Sequence, residues 1–212
     1  MSDHSAGLAH LRAADPVLRE LIDRHGLAGL DRDSLRRRRE GGQQGHYAAL
    51  VRTIVGQQLS TRAAAAIFRR LTDRFGGHEP TPAEILADDP QQLREVGLSR
   101  AKVASLRSLA EHALDGSLEL DRLDELADDP VIAELVAVKG IGTWSAHMFL
   151  MFHLGRPDVL PTGDLGIRKA MMATYGLETL PGPASMDAIA ACWRPYRTLA
   201  CHYLWRAYDG MP

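Results

Sequence analysis

The residues best placed for chemistry sit in two short stretches. The first is Val138-Lys139-Gly140-Ile141-Gly142-Thr143, where two glycines flank one isoleucine. Without β-carbons at 140 and 142 the backbone can approach a ligand closely. Successive amide N–H groups can then face outward beside a helix predicted to open at Thr143. Exposed amides and the positive end of a helix dipole attract anions, and a phosphodiester is the anion that suits such a turn. A Gly-x-Gly is a weak signal alone, but the surrounding LVAVKGIGTWSAHMFL, apolar on both flanks, is far more specific. The second stretch is Asp164, which stands 22 residues after Gly142, behind Pro161-Thr162-Gly163 and ahead of LGIRKAMMATYG. Taken alone, Asp164 reads as a helix N-cap. With the glycine turn upstream and a Pro/Gly turn before it, the catalytic reading is the stronger one. A carboxylate in that place stabilises a developing positive charge, and the helix N-terminus favours its anionic form.

Other chemistries find no residues to carry them. Cys192 and Cys201 are the only cysteines. Two cannot supply a disulfide framework, a four-cysteine zinc site or a four-cysteine iron–sulfur cluster, so they read as reduced thiols. His147, His153 and His202 lack metal-ligand spacing.

The elements that must position these residues are almost all helical. The chain has 212 residues, 45% hydrophobic and 25% charged, enough for one domain or two small lobes. Leu8, Leu11, Leu18, Leu21 and Ile22 follow helical spacing across 8–25, with Asp15-Pro16 as cap and first-turn proline. Leu50, Val51, Ile54, Val55 and Leu59 do the same over 47–59, and Ser60 can cap a helix through Phe75. Thr81-Pro82-Ala83-Glu84 is a capping box. The motif LADDP occurs at 86–90 and 126–130, each time reading as a helix start with aspartate as cap and proline as first residue. Each copy leads to a glycine-containing turn and a second helix opened by Ser99 or Thr143, and only the second copy has two glycines. No segment joins strand alternation to hairpin turns, so the fold class is all-α.

Net charge is −2, unevenly spread. Residues 1–80 carry 13 Lys+Arg against 9 Asp+Glu, residues 81–138 carry 5 against 13, and residues 139–212 carry 7 against 5. Polyanion binding through bulk charge is excluded, and any such contact must be local. Arg36, Arg37, Arg38 and Arg39 form a basic run that is either a solvated loop or a phosphate-facing arm. The N-terminus has no apolar signal core and no stretch reaches the ~18 apolar residues of a membrane span. A cytoplasmic protein without membrane contact is expected.

Four stretches, LVRTIVGQQLSTRAA (50–64), LREVGLSRAKVASL (93–106), the hairpin at 135–150 and VLPTGDLGIRKAM (159–171), resemble the helix-hairpin-helix DNA glycosylase superfamily, and within it the AlkA-type 3-methyladenine DNA glycosylases. WRPYRTLACHYLW (193–205) resembles the family's final helix. Together they span most of 46–205 in the family's order. The resemblance implies two helical lobes with the active-site cleft between them. One lobe would run over 46–156 and hold the hairpin. The other would combine 1–45 with 157–212 and carry the catalytic Asp164.

The resemblance also assigns roles. Lys139, Gly140, Gly142 and Thr143 would grip the DNA backbone. Trp144, Met148 and Trp205 would line the base pocket, Met148 standing where some relatives have an aromatic. Gln58 matches the intercalating wedge, with Leu59 as its apolar neighbour; a polar helix-end turn is the plain alternative. Arg168 and Lys169 reach phosphate or are solvated. No cofactor is required, although the family's hairpin often holds a monovalent cation, Na+ or K+, on turn carbonyls. The implied partner is double-stranded DNA containing alkylated bases, and the implied enzyme is a monomer, nucleoid-associated in a bacterium. Bifunctional relatives place a lysine two residues after the second hairpin glycine; Trp144 stands there, which implies a monofunctional glycosylase that leaves an intact abasic site. The main rival is a non-enzymatic helix-hairpin-helix DNA-binding module, which leaves Asp164 and the tryptophans without work. The cluster-bearing subclasses need four cysteines that this chain lacks.

Overall fold

The computed structural model describes residues 3–26 and 45–209. The basic run at 36–39 lies outside them. The described residues form helices and turns with no strand, the all-α class that the periodicity predicts. They belong to two compact units, Gly42–Phe149 and Met1–Gly41 with Leu150–Pro212.

The Gly42–Phe149 unit contains α3 (His46–Gly56), α4 (Thr61–Arg74), α5 (Pro82–Ala87), α6 (Pro90–Glu95), α7 (Arg100–Asp115), α8 (Asp128–Ala137) and most of α9 (Thr143–Phe152). Helix α7 is its hub and packs against α3, α5 and α6. Leu106 and Leu109 of α7 meet a core of Leu50, Ile54, Ile85 and Leu93, all fully buried. Each such side chain contributes about 1.5–3 kcal/mol. The caps follow the sequence closely. Ser60 accepts from the Ala63 N–H, Asp89 from Gln91 and Ser99 from Lys102, and Thr81 and Glu84 form the reciprocal capping box.

The second LADDP copy departs from its expected start. Helix α8 opens at Asp128 behind Ala127, which makes no side-chain cap, so Asp128 and Asp129 fill the first turn and Pro130 is its third residue. Two carboxylates favour the positive helix end directly, and a first-turn proline lacks only an N–H that would be unbonded anyway. Helix α9 opens at Thr143, as its sequence predicts, and the Gly142 carbonyl accepts the Ala146 N–H at 3.0 Å.

The other unit holds α1 (Asp3–Ala14), α2 (Pro16–His25), α10 (Leu165–Thr174), α11 (Pro183–Ala190) and α12 (Arg197–Asp209). Helix α12 packs on α10 and α2 around buried Leu18, Ile22, Ile167, Met171 and Tyr203. Asp15 caps α2 through the Val17 and Leu18 amides and also accepts from the Tyr175 hydroxyl at 2.6 Å and the Trp193 indole at 2.7 Å. Four donors offset the cost of burying this carboxylate. The expected lobe boundary at 156 differs from the unit boundary after Phe149. Residues 150–156 group with the C-terminal helices because Phe152 stacks on Trp205 and the Arg156 carbonyl accepts the Thr198 hydroxyl.

Candidate active site

Asp164 lies at the N-terminus of α10, 8% exposed. Its entry turn is closed by its own N–H, which donates to the Pro161 carbonyl at 2.9 Å. Its Oδ1 accepts the Ile167 N–H at 2.8 Å and the Trp205 indole N–H at 3.0 Å. The carboxylate is therefore both a helix cap and a group fixed in one rotamer by α12. Gly166 makes room for this pair: a β-carbon there would lie 3.1 Å from Asp164 Oδ1 and 3.4 Å from Trp205 Cδ1. The Trp205 ring is held in turn by Phe152, stacked at 5.7 Å, and by His202, edge-on at 5.8 Å. Burial and the nearby His4 push His202 down to about 4. Below the site, burial and the Asp164 charge push the Cys201 thiol up, out of reactive range. Cys201 is thus a core thiol, while Cys192 is exposed.

In the Gly42–Phe149 unit, Lys139, Gly140, Gly142 and Thr143 are all exposed while Ile141 is buried and anchors the turn between α8 and α9. Not every amide faces outward, as the sequence had suggested. The Lys139 N–H donates to Ser108 Oγ at 3.1 Å and the Ile141 N–H to the Val138 carbonyl at 3.1 Å. Among the described residues the amides of Gly140, Gly142 and Thr143 have no acceptor, which leaves all three open to an anion. Gly140 has φ +84°, and a β-carbon on it would lie 2.2 Å from Ser105 Oγ. Gly142 has open space around it. One glycine is demanded by the fold and the other leaves room for a ligand. The turn carbonyls are neutral donors of the kind a monovalent cation takes. Those of Gly140 and Val138 already accept from Gln57 and Ile141, and each keeps a second lone pair. Among the described residues no group of three His, Cys, Asp or Glu side chains is arranged to hold a metal.

The remaining predicted residues divide by unit. Trp144 is 47% exposed on the first turn of α9 and Met148, one turn on, is half-buried. Gln58 and Leu59 are exposed in the turn between α3 and α4, and Gln58 has φ +56°. In the other unit, Arg168 donates to the Pro181 carbonyl at 3.0 Å, and Lys169 lies 5.7 Å from the Tyr208 ring centre. Through that bond Arg168 braces the loop before α11.

Residues 51–195 match the family model of the HhH-GPD superfamily base excision DNA repair protein. The chain belongs to the HhH-GPD superfamily. It is 36% identical over 162 residues to DNA-3-methyladenine glycosylase 1 of Schizosaccharomyces pombe, covering 76% of this chain and 71% of that protein. It is 28% identical over 173 residues to DNA-3-methyladenine glycosylase 2 of Escherichia coli, covering 76% of this chain and 57% of that protein. Among solved structures, the Schizosaccharomyces pombe 3-methyladenine DNA glycosylase in complex with abasic DNA matches at a TM-score of 0.78, with 31% identity and 95% of each chain covered. A Bacillus halodurans DNA-3-methyladenine glycosidase matches at 0.73, with 32% identity, 92% of this chain and 90% of that one.

The geometry adds partners that sequence reasoning missed. Gln57 Nε2 donates to the Gly140 carbonyl at 2.9 Å, and Lys102 Nζ to the Val55 carbonyl at 2.8 Å. Phe152 was absent from the predicted pocket although it stacks on Trp205. Helical spacing from Trp144 and Met148 could have pointed to Phe152, since it follows Met148 by four residues. Nothing local pointed to Gln57.

Proposed function

We propose that this protein is a monofunctional DNA glycosylase of base excision repair that removes alkylated purines. The observation that carries this reading is the Asp164 carboxylate, capped by Ile167 and gripped by Trp205, in a chain that also builds the anion-binding glycine turn. The turn holds the DNA backbone with neutral amides, which suits a chain whose net charge is −2. Lys139 beside it adds a cation, and a Na+ or K+ on the turn carbonyls would add a second positive charge facing phosphate.

Holding the backbone lets the damaged nucleotide leave the stack, at a cost of a few kcal/mol. Gln58 and Leu59 fill the vacated space, one by hydrogen bonding and the other by apolar contact. An alkylated purine carries positive charge, and an aromatic face holds such a base with roughly 0.5–2 kcal/mol per contact; the residues proposed for this work are Trp144 and Met148 in one unit and Trp205 in the other. Phe152 covers part of Trp205, which leaves the indole less ring surface for the base and ties it to orienting Asp164.

Cleavage of the N-glycosidic bond builds positive charge on the deoxyribose. The Asp164 carboxylate stabilises that charge without moving, because two donors already fix it. Water then adds to the sugar, and the base leaves readily because alkylation has made it cationic. One carboxylate suffices.

The test is single-turnover excision on duplexes carrying 3-methyladenine, 7-methylguanine, ethenoadenine or hypoxanthine, with wild type and Asp164→Asn. Wild type is expected to release methylated purines and leave alkali-labile sites. Asp164→Asn keeps size and capping but not charge, so it should lose excision by at least about a hundredfold while still binding an abasic-site duplex. Near-wild-type rates in the Asn variant, or no excision of any lesion by wild type, would sink the reading.

A further inference from the structure

The turn at 57–59 has an unusual backbone and an unusual number of restraints. Gln58 is the only non-glycine residue with positive φ among the described residues. A side chain in that region is disfavoured, so neighbouring contacts must hold it there. Helix α3 closes beneath it, with the Gln57 N–H donating to the Thr53 carbonyl and the Leu59 N–H to the Gly56 carbonyl, both at 3.2 Å. Lys102, from the first turn of α7, caps the last turn of α3 through the Val55 carbonyl. Gln57 then reaches 83 residues along the chain to the Gly140 carbonyl.

That last bond falls on a peptide already held at its other end. The Gly140–Ile141 peptide donates through the Ile141 N–H to Val138 and accepts through the Gly140 carbonyl from Gln57. Its plane is therefore held from both sides. Behind it, Ser108 holds the Lys139 N–H and Ser105 crowds Gly140. The base-displacing turn and the anion-binding turn share one clamp.

We propose that Gln57 is a positioning residue for base displacement, tying the Gln58-Leu59 turn to the phosphate-binding hairpin so that both meet the duplex in one register. The inference rests on the reading of Gln58 and Leu59 as the wedge. A side-chain donor of glutamine length is required. Alanine has no donor, and an ionised glutamate would place a carboxylate oxygen against the Gly140 carbonyl.

The experiment uses a methylated-purine duplex with 2-aminopurine beside the lesion, whose fluorescence rises when its neighbour unstacks, together with binding to undamaged duplex. Gln57→Ala and Gln57→Glu should each lower the fluorescence rise and the single-turnover rate about five- to tenfold, the worth of one hydrogen bond. Affinity for undamaged DNA should stay within about twofold, because the amides that grip phosphate remain. Combining Gln57→Ala with Gln58→Ala should cost no more than Gln58→Ala alone, since both act through one wedge. A wild-type fluorescence rise in the Gln57 variants, a parallel loss of undamaged-DNA affinity, or additive losses in the double variant would overturn the coupling. If Gln58→Ala and Leu59→Ala themselves leave the rise intact, the wedge reading falls and the coupling falls with it. If those two variants reduce the rise and Gln57→Ala does not, only the coupling falls.

Discussion

Two aspartates show what a single residue's setting decides. Asp15 and Asp164 both cap a helix and both accept a tryptophan indole N–H. Asp15 has both oxygens engaged by four donors beneath Tyr175 and Trp193, which makes it a structural anchor. Asp164 accepts the Ile167 amide and the Trp205 indole on Oδ1, at the N-terminus of α10. Both caps were legible, because an aspartate before a helical run is a local signal. Their indole partners stand 178 and 41 residues away and were not. The ring stack beside Asp164 also fixes a pH response. His202 ordinarily titrates near 6.5, and burial with His4 nearby takes it to about 4. Between those values the unfolded chain binds a proton that the native imidazole refuses, so stability falls as pH falls. The loss should approach roughly 3 kcal/mol by pH 4 from this one group and be absent above pH 7. Urea unfolding of wild type and His202→Phe at several pH values checks it: the variant should lose less stability on acidification. Parallel acid limbs would show that His202 is not the group responsible.

At the scale of elements, the two LADDP hairpins began as one pattern and ended with different turns. In the first, Arg70 fills the turn, donating to the Val96 carbonyl at 2.7 Å and lying where a β-carbon on Gly97 would go. In the second, Ser105 crowds Gly140 and Gln57 holds its carbonyl, while among the described residues the Gly140, Gly142 and Thr143 amides have no acceptor. The helices, the capping box and the exposed glycine turn were readable because periodicity and caps are local. The misplaced start of α8 and the inward Lys139 amide were not, since first-turn acids resemble caps and Ser108 lies 31 residues away. The same geometry separates two glycine variants that sequence alone treats as equal. Gly140→Ala puts a β-carbon into Ser105 at positive φ, so it should cost about 1–3 kcal/mol of stability and weaken DNA binding. Gly142→Ala meets nothing in the protein and should melt within about 1 kcal/mol of wild type. It should still lose affinity for every duplex alike, because phosphate contacts carry no sequence information. Thermal melts with anisotropy titrations on matched and lesion duplexes decide it. Equal melting losses in the two variants, or a loss confined to one lesion, would contradict the assignment.

For the whole molecule, the distribution of amines limits the reaction. The chain has three lysines, each in a different setting. Lys102 is turned into its own unit, donating to the Val55 carbonyl, and burial lowers its pKa. Lys169 lies against the Tyr208 ring on α10. Lys139 is exposed on the glycine turn, beside the amides proposed to bind phosphate. The resemblance places Trp144 where lyase-competent members carry a nucleophilic lysine, and an indole cannot form a Schiff base. On the proposed reading no amine stands at the sugar, so water is the acceptor and the abasic strand stays whole. Borohydride added during turnover on a methylated duplex should therefore trap no covalent complex, and strands should break only after alkali. Trapping that disappears in a lysine variant would show an amine at C1′ and remove Trp144 from the base pocket. Introducing the missing group offers the converse check. Trp144→Lys sets an amine on an exposed first-turn position of α9, where folding should tolerate it. If Trp144 faces the sugar and base, that variant should yield a borohydride-trapped complex that wild type does not, together with excision reduced by the lost ring contact. A Trp144→Lys enzyme that excises normally and traps nothing would place residue 144 away from the reacting nucleotide.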